Sequence, residues 1–351
     1  MSDTAHPAAG TAGSAASNGV AVVGAGYWGK NLVRAFASLG RLRAVCDADA
    51  KALERARTQA PATRMVGDFA DLLTDSDIGA VVIASPAKLH AEQALAALRA
   101  NKDVFVEKPM ALSAADARAV RLTAEAEGRI LMVGHLMLYH AGITRLLELV
   151  RSGELGRIYY LYALRVNLGK LRKDENALWS FGPHDLAVIL ELVGQDPETV
   201  AARGEGYLQD GVEDVVFVNL RFPDRTMAQV QLSWLDPRKE RRLTVVGSRR
   251  MAVLDDTLPN EVLKIYDKGF DRPPDYASFG EFLTLRDGDV HIPRIDLREP
   301  LIEECAHFLH CIDTRAEPRT SGAHGERVVR ILEAAQRSLE SGGTPVPLGP
   351  A

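Results

Sequence analysis

Two short stretches of this 351-residue chain carry side chains suited to moving a proton. "VEKP" sets Lys108 between Glu107 and Pro109, and "FGPHD" sets His184 beside Asp185. An ammonium polarises the oxygen of a carbonyl or hydroxyl, and partial desolvation lowers its pKa toward proton-shuttling range. Imidazole titrates where a hydroxyl proton can be accepted. Glu107 could orient the lysine or contact a ribose. Asp185 could orient the histidine or bind hydroxyl groups, with Pro183 breaking before a helix and His184 in its first turn. By themselves the two pairs read equally as ordinary features, a lysine at a strand end and two helix-capping residues.

What decides between these readings is the set of elements that would position them. "VAVVGAGYWGKN", residues 20–31, runs from four apolar residues into a turn with Gly24, Gly26 and Gly29. The apolar run reads as a strand buried on both faces. Leu32, Val33, Phe36 and Leu39 follow at helical spacing, and Gly40 can end that helix. Strand, glycine turn and helix together form the context of a dinucleotide-binding fingerprint. Gly24 would permit the tight turn, Gly26 the close approach of a pyrophosphate, and Gly29 close packing of helix on strand. Tyr27 and Trp28 lie inside the same cofactor-binding turn. Asp47 ends the next strand, Leu42–Cys46, where its carboxylate could accept from ribose hydroxyls and would repel a 2′-phosphate. NAD is therefore expected, with NADP disfavoured.

Strands and helices then alternate through "TRMVG", "GAVVIASP", "DVFVEKP" and "RILMVGH", which implies a doubly wound parallel sheet. Ligands of such sheets lie outside the carboxyl ends of the strands. Those ends carry Gly24, Asp47, Ser85 with Pro86, Glu107 with Lys108, and His135. After one more helix closed by Gly153, strand-like runs follow one another from Arg157. "DVVFVNLRF" and "TMAQVQLSW" flank a polar turn as a hairpin. The expected fold is α/β plus α+β: an N-terminal Rossmann domain over 19–140, and a C-terminal domain over 141–351 on a large open antiparallel sheet. Residues 1–18 read as a disordered tail without the features of a signal peptide.

Composition narrows the class of partner. A net charge of −5 argues against nucleic acid or an anionic membrane surface, and no apolar stretch has the length of a membrane span. Three cysteines form no disulfide framework and fit a reducing, cytoplasmic compartment. Cys305, His307, His310 and Cys311 fall on an amphipathic helix and lack a second ligand pair, so no metal is expected. The basic run "DPRKERR" reads as a solvated turn, with contact to a substrate diphosphate as the alternative.

The glycine fingerprint, "SPAKLH", "NKDVFVEKP" and the later His-Asp pair resemble the glucose–fructose oxidoreductase / inositol dehydrogenase / MocA family over residues 20 to 348. "GHLMLYH", "NALWSFGPHD" and "EPLIEECAHFLHCI" are most similar to its branch acting on nucleotide-linked amino sugars. The resemblance implies NAD-dependent oxidation of a sugar hydroxyl, at C3, of a substrate such as UDP-N-acetylglucosamine or its uronate. It implies Lys108 and His184, with Asp185, as catalytic residues, and a cis peptide before Pro109. It places Ser85, Pro86, His90 and Glu107 along the cofactor, His90 near the nicotinamide ribose. Two positions depart from the family: Ser180 stands where many members have Asp, and Leu138 where many have Arg. Tyr139, Arg165, Asn167, Asn176 and Trp179 are the expected replacements lining the sugar pocket. A homodimer or homotetramer through the C-terminal sheet is also implied. The alternatives are an inositol or free-sugar dehydrogenase, a 3-keto-sugar reductase, an NAD-dependent glycosidase, and an inactive NAD/sugar sensor.

Overall fold

Val20–Val23 is buried at every position and forms β1, the central strand of the first sheet. The computed structural model describes residues 19–169, 175–271 and 284–349; the expected tail at 1–18 lies outside them. From β1 the chain continues through α1 (Gly29–Ser38), β2 (Leu42–Cys46), α2 (Ala50–Gln59), β3 (Arg64–Val66), α3 (Ala70–Leu73), β4 (Ala80–Ile83), α4 (His90–Arg99), β5 (Asp103–Glu107), α5 (Ala114–Ala126) and β6 (Leu131–Gly134). The six strands pair in parallel in the order β3-β2-β1-β4-β5-β6. Strand order reverses between β1 and β4, which opens a crevice at their carboxyl ends. Helix α1 buries Leu32, Val33, Ala35 and Phe36 on one face, as its spacing predicts.

The second sheet follows α6 (Ala141–Arg151). Its elements are β7 (Ile158–Val166), α7 (Ala177–Val193), β8 (Thr199–Glu205), β9 (Val215–Arg221), β10 (Met227–Ser233), β11 (Glu240–Gly247), β12 (Met251–Asp255), β13 (Leu263–Asp271) and β14 (Thr284–His291). Helices α8 (Pro300–Thr314) and α9 (Gly322–Glu340) then precede β15 (Val346–Pro347). The strand order is β14-β13-β12-β11-β7-β10-β9-β8-β15. The expected β9–β10 hairpin is present, with Val215 opposite Ser233 and Arg221 opposite Met227. The sheet is mixed and not wholly antiparallel, because β7 and β10 run parallel. The intervening α7 carries the chain across one face before β8, and such a crossover is what lets two strands pair in parallel.

Helix α7 also begins earlier than the sequence suggests. Asn176 accepts from the backbone N–H of Trp179 and caps the helix there, so Pro183 lies inside it and His184 falls in mid-helix. The sequence reading placed the break at Pro183 because an interior proline leaves the carbonyl four residues back, here Trp179, without a helical donor.

Alternation along β9 and β10 puts Val216, Val218, Leu220, Ala228, Val230 and Leu232 inward. That inner face joins one side of the first sheet in a continuous core, with α7 and α9 packed between. Helix α9 starts close against the first sheet: a Cβ on Gly322 would lie 2.5 Å from Leu131, and one on Gly325 would lie 2.5 Å from Val133. Helix α8 lies on α1, where the Phe308 ring stands edge-on to Phe36 and Phe105 at centroid distances of 6.4 and 5.6 Å. Phe308 is fully buried. Phe308→Ala is expected to destabilise the protein by about 3–5 kcal/mol, read as a lowered urea midpoint with an unchanged slope.

Candidate active site

The glycine turn after β1 is shaped by contacts that two of its glycines alone permit. A Cβ on Gly29 would collide with the Gly24 carbonyl oxygen, and Gly24 itself has φ +91° with Ala84 2.7 Å from where its Cβ would stand. Gly26 meets nothing within 4 Å, so its backbone is open to a ligand. The N-terminus of α1 has neither a side-chain cap nor an acidic residue in its first turn. Its amides and dipole can therefore receive a pyrophosphate. At the end of β2, Asp47 accepts from Ala25 N through Oδ2 (2.7 Å) and from Asp49 N through Oδ1 (2.8 Å). This fixes the carboxylate beside the turn, and each oxygen keeps a lone pair for a ribose hydroxyl. The cradle fits a dinucleotide whose adenosine carries no 2′-phosphate.

Two strands away, the end of β5 presents Glu107 and Lys108, with a cis peptide between Lys108 and Pro109 as expected. The Lys108 ammonium donates to the Ser180 carbonyl of α7 at 2.9 Å. Glu107 is buried and accepts from Trp28 Nε1 (2.5 Å) and from the backbone N–H of Lys108 (3.2 Å). Burial pushes its carboxyl up to about 7, against the lowering effect of the Trp28 hydrogen bond and of Lys108.

His184 lies one helical turn beyond Ser180, on the same face of α7. Its buried Nδ1 has no hydrogen-bond partner among the described residues. Burial holds the imidazole well below its usual pKa, reinforced by Lys108, Arg165, His135 and Arg241. It is a neutral imidazole within the electrostatic reach of the Lys108 ammonium, and such a pair could take a proton from a polarised hydroxyl.

His135 at the end of β6 completes the group. It is 1 % exposed, and neither ring nitrogen has a partner among the described residues. Its ring packs edge-on to His324 of α9 at 5.1 Å. Burial, then His324 and Lys108, keep it neutral. His135 was legible as a strand-end residue, but nothing in the sequence paired it with His324, 189 positions later. Gln336, which meets Asn176 and Trp179, and Glu304, on which Glu107 acts, were likewise beyond sequence reasoning, whereas Arg241 lies in the basic run that the sequence offered, as its alternative, to a substrate diphosphate.

Asp185 does not orient His184. It forms a buried bidentate pair with Arg165 of β7, at 2.5 and 3.0 Å. Neighbours on a helix point about 100° apart, so the two side chains of "HD" diverge. Burial works against the Arg165 charge, and Asp185 more than offsets it. His90 is also redirected: at 2 % exposure its Nδ1 meets the Pro109 carbonyl and its Nε2 the Ser85 carbonyl, both at 2.8 Å. It ties the β4 and β5 loops together, and both ring nitrogens are engaged in doing so. Ser85 Oγ donates to Gln93, and Pro86 begins the 3₁₀ turn that leads into α4. Tyr27 stands exposed at the turn.

The expected sugar-pocket residues are dispersed. Tyr139 is buried against Thr320 and His307 under Arg319, in a groove that includes neither Lys108 nor His184. Asn176 spends its amide on Glu213 and Gln336, and Trp179 Nε1 donates to the same Gln336 oxygen. Asn167 follows β7 with its side chain on the Leu168 carbonyl, 3.4 Å away.

Comparison with known proteins places these features in context. A model described as "Oxidoreductase family, NAD-binding Rossmann fold" matches residues 18–135, and the "GFO/IDH/MocA C-terminal domain" matches 143–253. A solved oxidoreductase of Magnetospirillum magnetotacticum is 30% identical, over 90% of this chain and 98% of that one, with TM-score 0.75. UDP-N-acetylglucosamine 3-dehydrogenase GnnA of Acidithiobacillus ferrooxidans is 25% identical, over 92% and 97%, with TM-score 0.80. Inositol 2-dehydrogenase of Salmonella typhimurium is 31% identical over 186 residues, 51% of this chain and 55% of that protein.

The buried imidazoles have a thermodynamic consequence. A histidine whose native pKa is depressed leaves the unfolded chain binding more protons below pH ~6.5, so stability falls as pH falls through that value. Each such group contributes up to about 1.4 kcal/mol per pH unit. His135→Phe should flatten the loss of stability between about pH 6.5 and pH 5, measured by urea unfolding across a pH series.

Proposed function

The chain belongs to the GFO/IDH/MocA family of NAD-binding oxidoreductases, and from that premise we propose that it oxidises one hydroxyl, at C3, of a nucleotide-linked amino sugar such as UDP-N-acetylglucosamine or its uronate. The observation that carries this reading is the Lys108 ammonium bonded to the Ser180 carbonyl, one helical turn from a His184 Nδ1 that has no partner among the described residues. Similarity to GnnA supports the same substrate class. Similarity to an inositol dehydrogenase favours a second reading, oxidation of a free polyol.

The turn at Gly24, Gly26 and Gly29, with the first amides of α1, would hold the NAD pyrophosphate, and Asp47 its adenosine ribose. NAD, when bound, supplies the acceptor for the hydride. His184 takes the hydroxyl proton, and Lys108 stabilises negative charge on the oxygen as the carbonyl forms. The products are the keto sugar, NADH and one proton. Gathering these groups at one crevice contributes through orientation. Arg165 and Asp185 act as a rigid support beneath His184.

Tyr160, Tyr162, Phe217 and Met227 are exposed on the outer face of the second sheet, and the Tyr160 and Tyr162 rings stack 6.3 Å apart. An apolar sheet face of this kind supports a homodimer or homotetramer built across it. The three cysteines are free and buried, which suits a reducing compartment. Among the described residues no helix is long and apolar enough to cross a membrane.

Incubation with NAD and a panel of UDP- and dTDP-hexoses, alongside myo-inositol and glucose, tests the assignment by mass spectrometry. One nucleotide sugar is expected to become two hydrogens lighter. Lys108→Ala should lower the rate by about 10²–10⁴-fold. Oxidation of inositol or glucose, with every nucleotide sugar untouched, selects the second reading.

A further inference from the structure

Trp28 and Lys108 belong to strands that are not neighbours. The glycine turn follows β1, the lysine follows β5, and β4 lies between them. Two strand spacings, roughly 10 Å, separate the turn from the lysine peptide. The Trp28 indole bridges that gap, its Nε1 donating to Glu107 Oε1 at 2.5 Å. Glu107 is firmly placed to receive it. Gly134 stands in register with it on β6, where a Cβ would lie 2.9 Å from Glu107 Oε2. That same Oε2 accepts from the backbone N–H of Lys108. The carboxylate thus has one oxygen on the cofactor turn and the other on the lysine peptide.

We propose that Trp28 is a positioning residue for hydride transfer: through Glu107 it ties the dinucleotide-binding turn to the peptide that carries Lys108, so that filling the turn sets the lysine. The proposal rests on the NAD-dependent reading of the site and not on the identity of the sugar. The tether is strongest when Glu107 is ionised, because a charged acceptor roughly doubles the strength of the bond. Burial of Glu107 opposes that ionisation, while Trp28 and Lys108 favour it. Protonation below about pH 7 should therefore loosen the turn from the lysine. Trp28→Phe keeps the aromatic body and removes only the donor.

Two measurements on the full chain test this. In protein labelled with ¹⁵N at its tryptophans, the Trp28 indole resonance, identified by its loss in Trp28→Phe, should titrate with a midpoint near about 7. Glu107→Gln should abolish that titration, and NADH should shift the resonance; neither observation requires a known sugar. In turnover with the sugar found to be oxidised, Trp28→Phe should lower kcat by about ten- to a hundredfold while KM for NAD changes by less than about threefold. An indole resonance indifferent to pH from about 5.5 to about 8.5 would overturn the proposal. So would a Trp28→Phe defect confined to NAD affinity. Failure of every nucleotide sugar to react bears on the substrate assignment alone, since the resonance still reports on the tether.

Discussion

The hydrogen bond from the Lys108 ammonium to the Ser180 carbonyl joins the end of one sheet to a helix lying on the other. Holding that contact requires both partners to be rigid. Strand β5 is buried at all five positions, so its carboxyl end is fixed by the core. Helix α7 is held from above by Asn176, which caps it and reaches Glu213 and Gln336, and from below by the Arg165–Asp185 pair. Helix α9 fills the space between, and its glycine-bearing first turns allow close approach to β6. Lys108 and Ser180 meet between elements held by one continuous core, so their spacing is set by core packing.

Strand β5 shows how differently its two ends are treated. At its start, Lys102 donates to the carbonyls of Asp75 and Ile78, and Asp103 accepts from Ile130 N and from Arg315. Every charge there has a partner. At its other end lie His135 with two unpartnered ring nitrogens, His184 with one, and Glu304 with two bare carboxyl oxygens among the described residues. Leaving such groups unpaired costs about 1–3 kcal/mol each. Departures of this kind from polar satisfaction gather where a protein binds or reacts. Their electrostatic effect is coherent: burial, reinforced by neighbouring cations, keeps the imidazoles neutral, and burial keeps Glu107 close to its titration point.

In the proposed reaction, the buried Arg165–Asp185 pair would give the second sheet its part. It links β7 to the helix that carries His184, so the angle of that helix over the sheet sets the direction of the imidazole. Removing one partner of a buried pair leaves an uncompensated charge. Asp185 therefore matters through Arg165, and the second sheet is as much a part of the site as the glycine turn.

The first half of the fold was legible because each of its signals is local. Four apolar residues, three glycines at fixed spacing and an Asp at the next strand end describe one strand-turn-helix unit, and the structure has that unit. The alternation in β9 and β10 and the hairpin between them are equally local. The parallel pairing of β7 with β10 was not, because it depends on a crossover whose path no short pattern records. The start of α7 was misread at Pro183, since the carbonyl freed by a proline is judged by its tertiary surroundings and not by its neighbours in sequence. Lys108 and His184 could be chosen by chemistry and resemblance, but only the folded chain brings Ser180 to the lysine, Trp28 to Glu107, and His324 to His135. The sequence determined which groups could react. Tertiary packing decided which were paired off, as Asp185 and His90 are, and which were left with unspent hydrogen-bonding capacity, because burial and partner choice are properties of contacts between distant segments.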